Sequence, residues 1–178
     1  MHQWQVVYSS VTGNTRQIAE AMAAAVEVVP ESVEEAAVRD GAEIVAVGYW
    51  LWRGGPDPKT AAFLPKLHDV DVILFETHAA DNRSEHAVTA FARAAYLLGA
   101  NCRILGTFEC QGQVSAAIRA KHEKMAADDP HAKAGGWKTS IGHPNGEDLA
   151  AAAAFARKME EKRERLDQFV ARMTAKRG

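Results

Sequence analysis

Ser10-Val11-Thr12-Gly13-Asn14-Thr15 is the stretch whose reading decides the fold. It follows the apolar run Gln5-Val6-Val7-Tyr8 and precedes a segment in which Ile18, Met22 and Val26 recur four apart. The run predicts a strand over 4–9 and the periodic segment a helix over 15–26, so the stretch is the turn between them. Ser10, Thr12 and Thr15 supply hydroxyls, Asn14 an amide and Gly13 a bare backbone, with no charge before Arg16. A turn of this kind aims N–H groups and hydroxyls at one anion, on the positive end of the helix dipole. The lysine and glycine spacing of a nucleotide-triphosphate loop is absent. The stretch reads as a phosphate cradle; its plainer reading is a Ser/Thr/Asn-rich helix cap.

Outward from the cradle, strand and helix alternate. A short strand is expected over 27–29, stopped by Pro30, then one helical turn over 32–36. Residues 43–48 form a buried strand that ends at Gly48, and a helix over 59–67 is bent or ended by Pro65. The clearest strand is 70–75, followed by a helix over 84–98 with Ser84 as its cap and Gly99 beyond its end. A strand over 102–109 and a helix over 113–125 come next. The glycines and prolines of 128–145 mark a long loop. From Gly146 a single long helix carries Phe155, Met159, Leu166, Phe169 and Met173 near one face. Apolar strands alternating with helices imply a parallel sheet covered on both faces, in one domain over 1–178. Such a sheet binds ligands beyond the carboxyl ends of its strands.

Composition narrows the function classes. The formal net charge of −2 gives no basic footprint for nucleic acid. Cys102 and Cys110 form neither a CxxC motif nor a metal set, and read as buried small residues. No basic region followed by an apolar core opens the chain, and the longest apolar run is too short for a bilayer. A cytoplasmic protein off the membrane is expected, with its oligomeric state open.

Three further post-strand loops, over 49–57, 77–83 and 109–113, should meet the cradle. Tyr49-Trp50-Leu51-Trp52-Arg53-Gly54-Gly55-Pro56 holds two of the four tryptophans. A planar heteroaromatic ring has a use for such apolar mass; packing on a helix or a subunit is the alternative. Thr77, His78 and Ala79 can reach a ring's polar edge, and His78 can stack or titrate. Cys110, Gln111 and Gly112 form the fourth loop, where Gln111 offers both a donor and an acceptor.

The pattern Ser-x-Thr-Gly-Asn-Thr after an N-terminal strand resembles the phosphate loop of flavodoxins, which bind flavin mononucleotide (FMN). Stretches 6–20, 48–64, 84–86, 105–112 and 129–132 are similar to a flavodoxin-like family that includes the BilS-type flavodoxins, associated with bilin reduction. The resemblance implies a flavodoxin-like three-layer α/β sandwich, with a five-stranded parallel sheet of order 2-1-3-4-5 between helices. It implies FMN contacts from Ser10, Val11, Thr12, Gly13, Asn14 and Thr15; from Trp50, Leu51, Trp52, Arg53 and Gly54; from Thr77, His78 and Ala79; and from Cys110, Gln111 and Gly112. It also implies an electron carrier with a redox protein partner. The alternatives are an FMN-dependent NAD(P)H reductase and a cofactor-free binding module. Two departures stand out: Leu51, not glycine, follows Trp50, and the third loop has Glu76 and Asp81 beside it and no tyrosine. Ionised acids near the ring predict a low reduction potential.

Overall fold

The computed structural model of the chain describes residues 1–80, 84–124 and 136–176. Five parallel strands run β2-β1-β3-β5-β6, with β1 at Trp4–Tyr8, β2 at Glu31–Ser32, β3 at Ile44–Trp52, β5 at Asp71–His78 and β6 at Arg103–Gln111. The expected order therefore holds. A sixth strand, β4 at Gly55–Pro56, pairs antiparallel with the end of β3.

Period-two alternation sorts the core. Val6, Ile44, Ala46, Ile73 and Phe75 point to one face, under α1 (Asn14–Ala25) and the long α6 (Gly146–Ala175). Val7, Val45, Val47, Tyr49, Val72 and Leu74 point to the other. That face is covered by α2 (Pro58–Phe63), a 3-10 turn at Leu64–Lys66 and α3 (Glu85–Tyr96). The interior strand β5 is buried along all eight residues, as a parallel strand covered on both faces must be. Gln5 is the polar exception in β1; its amide donates to Ala37 O at 2.7 Å and its oxygen accepts from Arg39 N at 3.1 Å. Two further helices among the described residues are α4 (Ala116–Glu123) and the four-residue α5 (Gly136–Thr139), which lies within the expected 128–145 loop.

The boundaries move where long-range pairing decides them. The second strand lies beyond Pro30, because Glu27 at φ 59° and the Val28 N to Ala23 O bond still belong to the closing of α1. β3 runs on through Tyr49, Trp50, Leu51 and Trp52, which were expected as loop. β5 supplies ladder partners to Tyr49 and Trp50, and β4 to Leu51 and Trp52. Arg53 and Gly54, at φ 50° and 76°, make the two-residue turn of this hairpin, where a positive φ favours glycine. Likewise Thr77, His78, Cys110 and Gln111 close strands rather than open loops.

The helix caps follow the sequence. Ser84 caps α3, with Ala87 N donating to its Oγ at 3.4 Å. Asn145 caps α6 through a reciprocal box with Asp148. Pro65 ends α2 in the 3-10 turn. The stripe expected on α6 divides: Met159 is buried and Phe155 and Leu166 pack on the core, while Phe169 and Met173 are exposed. The end of the predicted 113–125 helix, the 129–132 stretch and the acid at Asp81 fall outside the described residues.

Candidate functional site

At the carboxyl ends of the strands lies a cleft of about 320 Å³. Val11, Thr12, Asn14 and Thr15 form one wall, Trp50 and Leu51 another, and Thr77, His78 and Ala79 the floor beside them. Gly112, Gln113, Val114, Ser115 and Ile118 close it. All four predicted segments thus contribute. Trp50 stands across the ladder from Thr77, so the longer β3 carries the indole to the cleft on a strand.

The cradle is built around the start of α1. Gly13 is the N-cap at φ 90°, and without a side chain it offers no capping bond. Ser10 Oγ instead accepts from Gly13 N at 3.1 Å and sets the turn. The N–H groups of the first turn of α1 have no partner within their helix and no capping side chain, the arrangement an anion satisfies. Asn14 and Thr15 serve the scaffold: Asn14 Nδ2 donates to Gln113 O at 2.9 Å, and Thr15 Oγ1 lies 2.8 Å from Thr77 Oγ1 in the interior. Ser10 and Gly13 do not line this cleft but a second recess, which Val11 and Trp50 share with it. Its floor is pinned by Asp57, which accepts from Ser9 Oγ at 2.9 Å and caps α2 through Lys59 N and Thr60 N.

Other predicted residues sit elsewhere. Trp52 and Arg53 line an apolar groove with Tyr96 at the end of α3 and Leu97 just beyond it, and the Arg53 guanidinium lies 4.7 Å from the Trp52 ring. Gly54 packs against the Arg93 guanidinium. Cys110 is buried, and Gln111 Nε2 is spent on Ala80 O at 2.9 Å and Thr139 Oγ1 at 2.8 Å. Burial, with Asp148 nearby, pushes the Cys110 thiol up to about 12. Cys102 is shifted upward too, chiefly by burial. Neither thiol of the folded protein should react quickly with a disulfide reagent at pH 8, and both should after unfolding. Fast reaction of Cys110 in the native state would show that its site is open.

Glu76 corrects an expectation. It lies within β5, fully buried, on the sheet face under α3 rather than on the loop. Burial raises its pKa to about 8, an effect the neighbouring Tyr49 hydroxyl opposes and the Glu109 charge reinforces. The shift favours its uncharged form, which weakens the negative charge it presents to a ring. Gln113 ends the loop expected over 109–113, while Val114, Ser115 and Ile118 in the cleft wall were not expected from the sequence. The available signal was position, since they directly follow the end of β6 at a sheet edge where ligands bind.

Residues 5–157 match the family described as flavodoxin domain. The chain belongs to that family. It is 27% identical over 165 residues to the flavodoxin-like domain-containing protein BilS of Clostridioides difficile (strain CD3), covering 86% of this chain and 94% of that protein. The BilS of Clostridium symbiosum (strain WAL-14163) is 27% identical over 180 residues, with 86% and 93% covered. Among solved structures, the flavodoxin of Streptococcus pneumonia TIGR4 superposes with a TM-score of 0.57 at 16% identity, covering 90% of this chain and 99% of that one. The WrbA-like flavodoxin of Agrobacterium tumefaciens gives 0.56 at 18% identity, covering 92% and 99%. At these identities the structures show the fold alone. Among the described residues of this flavodoxin-domain protein, no helix is long and apolar enough to cross a membrane.

Proposed function

We propose that the chain binds FMN in this cleft and carries electrons to or from a redox partner protein in the cytoplasm. The observation that carries the reading is the uncapped start of α1 beside an indole wall: one end suits a phosphate, the other a planar ring. The first-turn N–H groups, with Ser10 and Thr12 beside them, would hold the phosphate. Trp50 and Leu51 would bound the ring and exclude water from it. FMN supplies the electron-transfer chemistry; the chain supplies binding, orientation and electrostatics. Both cysteines are free, which fits a reducing compartment.

Addition of FMN to flavin-free protein should quench tryptophan emission and give a saturable shift of the flavin band. Trp50→Ala should remove most of the quenching and weaken FMN about tenfold, counting stacking and lost area together. Trp52→Ala should change little, because Trp52 lies in the groove with α3. Quenching that depends on Trp52 instead would move the ring to that groove. Failure to bind any flavin would leave a cofactor-free binding module, and rapid NAD(P)H oxidation without an added reductase would mark a self-sufficient enzyme.

A further inference from the structure

We propose that Glu76, His78 and Glu109 form a binding site for one divalent transition-metal ion of the zinc type. The strand period places Glu76 and His78 on the same face of β5, and the β5–β6 register sets Glu109 directly across from Glu76. One ligand atom from each residue lies within 4.8 Å of the other two. His78 Nε2 is 4.0 Å from Glu76 Oε1 and 3.8 Å from Glu109 Oε2. With bonds near 2.1 Å, the edge of a zinc tetrahedron is about 3.4 Å, so shifts of roughly half an ångström on the His78 edges, and up to about 1.4 Å between the carboxylates, close the three atoms onto one ion.

The histidine is already oriented for this role. Its Nδ1 lies 3.0 Å from Ala80 O, and a carbonyl can only accept, so Nδ1 carries the hydrogen. Nε2 is then the ring atom turned toward both carboxylates. A ligating histidine is fixed in this way, by a bond from its far nitrogen to a backbone carbonyl.

Glu76 supplies the second, independent observation. It is 0% exposed, and neither of its oxygens completes a hydrogen bond of normal geometry among the described residues, although the Tyr49 hydroxyl lies beside it. Buried carboxylate oxygens of this kind call for a cation. One nitrogen with two oxygens suits zinc better than the all-oxygen shells of calcium or magnesium, or the thiolates preferred by copper(I). Glu109, with 20% of its side chain exposed, stands at the rim and gives an entry path. His78 also lines the cleft, whereas Glu76 and Glu109 do not, so Glu109→Gln tests this site apart from the FMN reading.

The test uses the full chain, treated with EDTA and dialysed against zinc chloride, with metal counted by plasma mass spectrometry. One zinc per chain should be retained, and thermal unfolding should shift upward by a few degrees at saturating zinc. Glu109→Gln, at the rim and therefore the substitution least able to harm folding, should weaken zinc about a hundredfold. It should leave FMN affinity within about twofold, since Glu109 does not line the cleft. Glu76→Gln should abolish tight binding. The proposal is overturned if no saturable one-to-one zinc is retained. It is equally overturned if retained zinc survives Glu109→Gln and His78→Gln combined, because the ion then sits elsewhere.

Discussion

Gly48→Ala is expected to destabilise the fold by about 2–3 kcal/mol, read as a lower denaturant midpoint at an unchanged slope. Gly48 lies within β3, paired with Tyr8 of β1 on one side and Phe75 of β5 on the other. Its carbonyl also accepts from Ser9 N at 2.9 Å, so the backbone is held from both sides. A methyl group there would lie 2.1 Å from Phe75 Cε2 and 2.2 Å from Cζ, far inside contact distance. Phe75 is itself fully buried in the core under α1 and α6, and its ring cannot retreat without displacing neighbours. The pair predicts its own rescue. Phe75→Leu alone should cost stability through lost volume, but Gly48→Ala added to it should cost much less than Gly48→Ala alone. Additive losses would show that the ring does not rest on the glycine.

The same pair marks what the sequence makes legible. The glycine after Ile44-Val45-Ala46-Val47 reads locally as the end of a strand, because glycine is a poor strand residue. In the fold it is the place where an aromatic ring from β5 needs room, and the strand continues through Trp52. No local signal announces a ladder partner that lies a full crossover away. Glu76 misleads for the same reason: a charged residue after an apolar run reads as the start of a loop, and only pairing with β6 encloses it. Features fixed within a few residues were legible. The turn over 10–15 into α1, the Ser84 cap and the Gly146 start of α6 depend on neighbours in the chain and stand where the sequence puts them. The two tryptophans of 49–56 fall between these cases. Their number signals a use, but only the hairpin turn at Arg53 and Gly54 decides that Trp50 meets the cleft and Trp52 the groove beside α3.

Thr12→Asp should weaken FMN about a hundredfold while leaving riboflavin within a few-fold of its original affinity. Thr12 is exposed and lines the cleft just before the N-cap of α1. A carboxylate there meets a phosphate monoester, which carries roughly −1.5 to −2 at neutral pH. Two unit charges ~4 Å apart at an effective dielectric near 20 repel by about 4 kcal/mol before screening. Retaining about 2.7 kcal/mol of that gives two decades in affinity. Arg16 offers little relief, because its Nε already pairs with Glu20 at 2.7 Å on the surface. Riboflavin has no phosphate and escapes the repulsion. Thr15→Val would be a poor substitute: Thr15 is buried against Thr77, and its loss would disturb the core along with the cradle. Thr12→Asp avoids that confusion through its sign. An acid beside a helix N-terminus favours the macrodipole, so the variant should be as stable as the parent or more stable by several tenths of a kcal/mol, at about 0.3–1 kcal/mol for such a placement. Lost FMN affinity in a protein that unfolds no more easily assigns the phosphate to the start of α1. Equal losses for FMN and riboflavin would place the phosphate elsewhere, and a rise in salt from 0.05 to 0.5 M should recover part of the FMN affinity only if the repulsion is the cause.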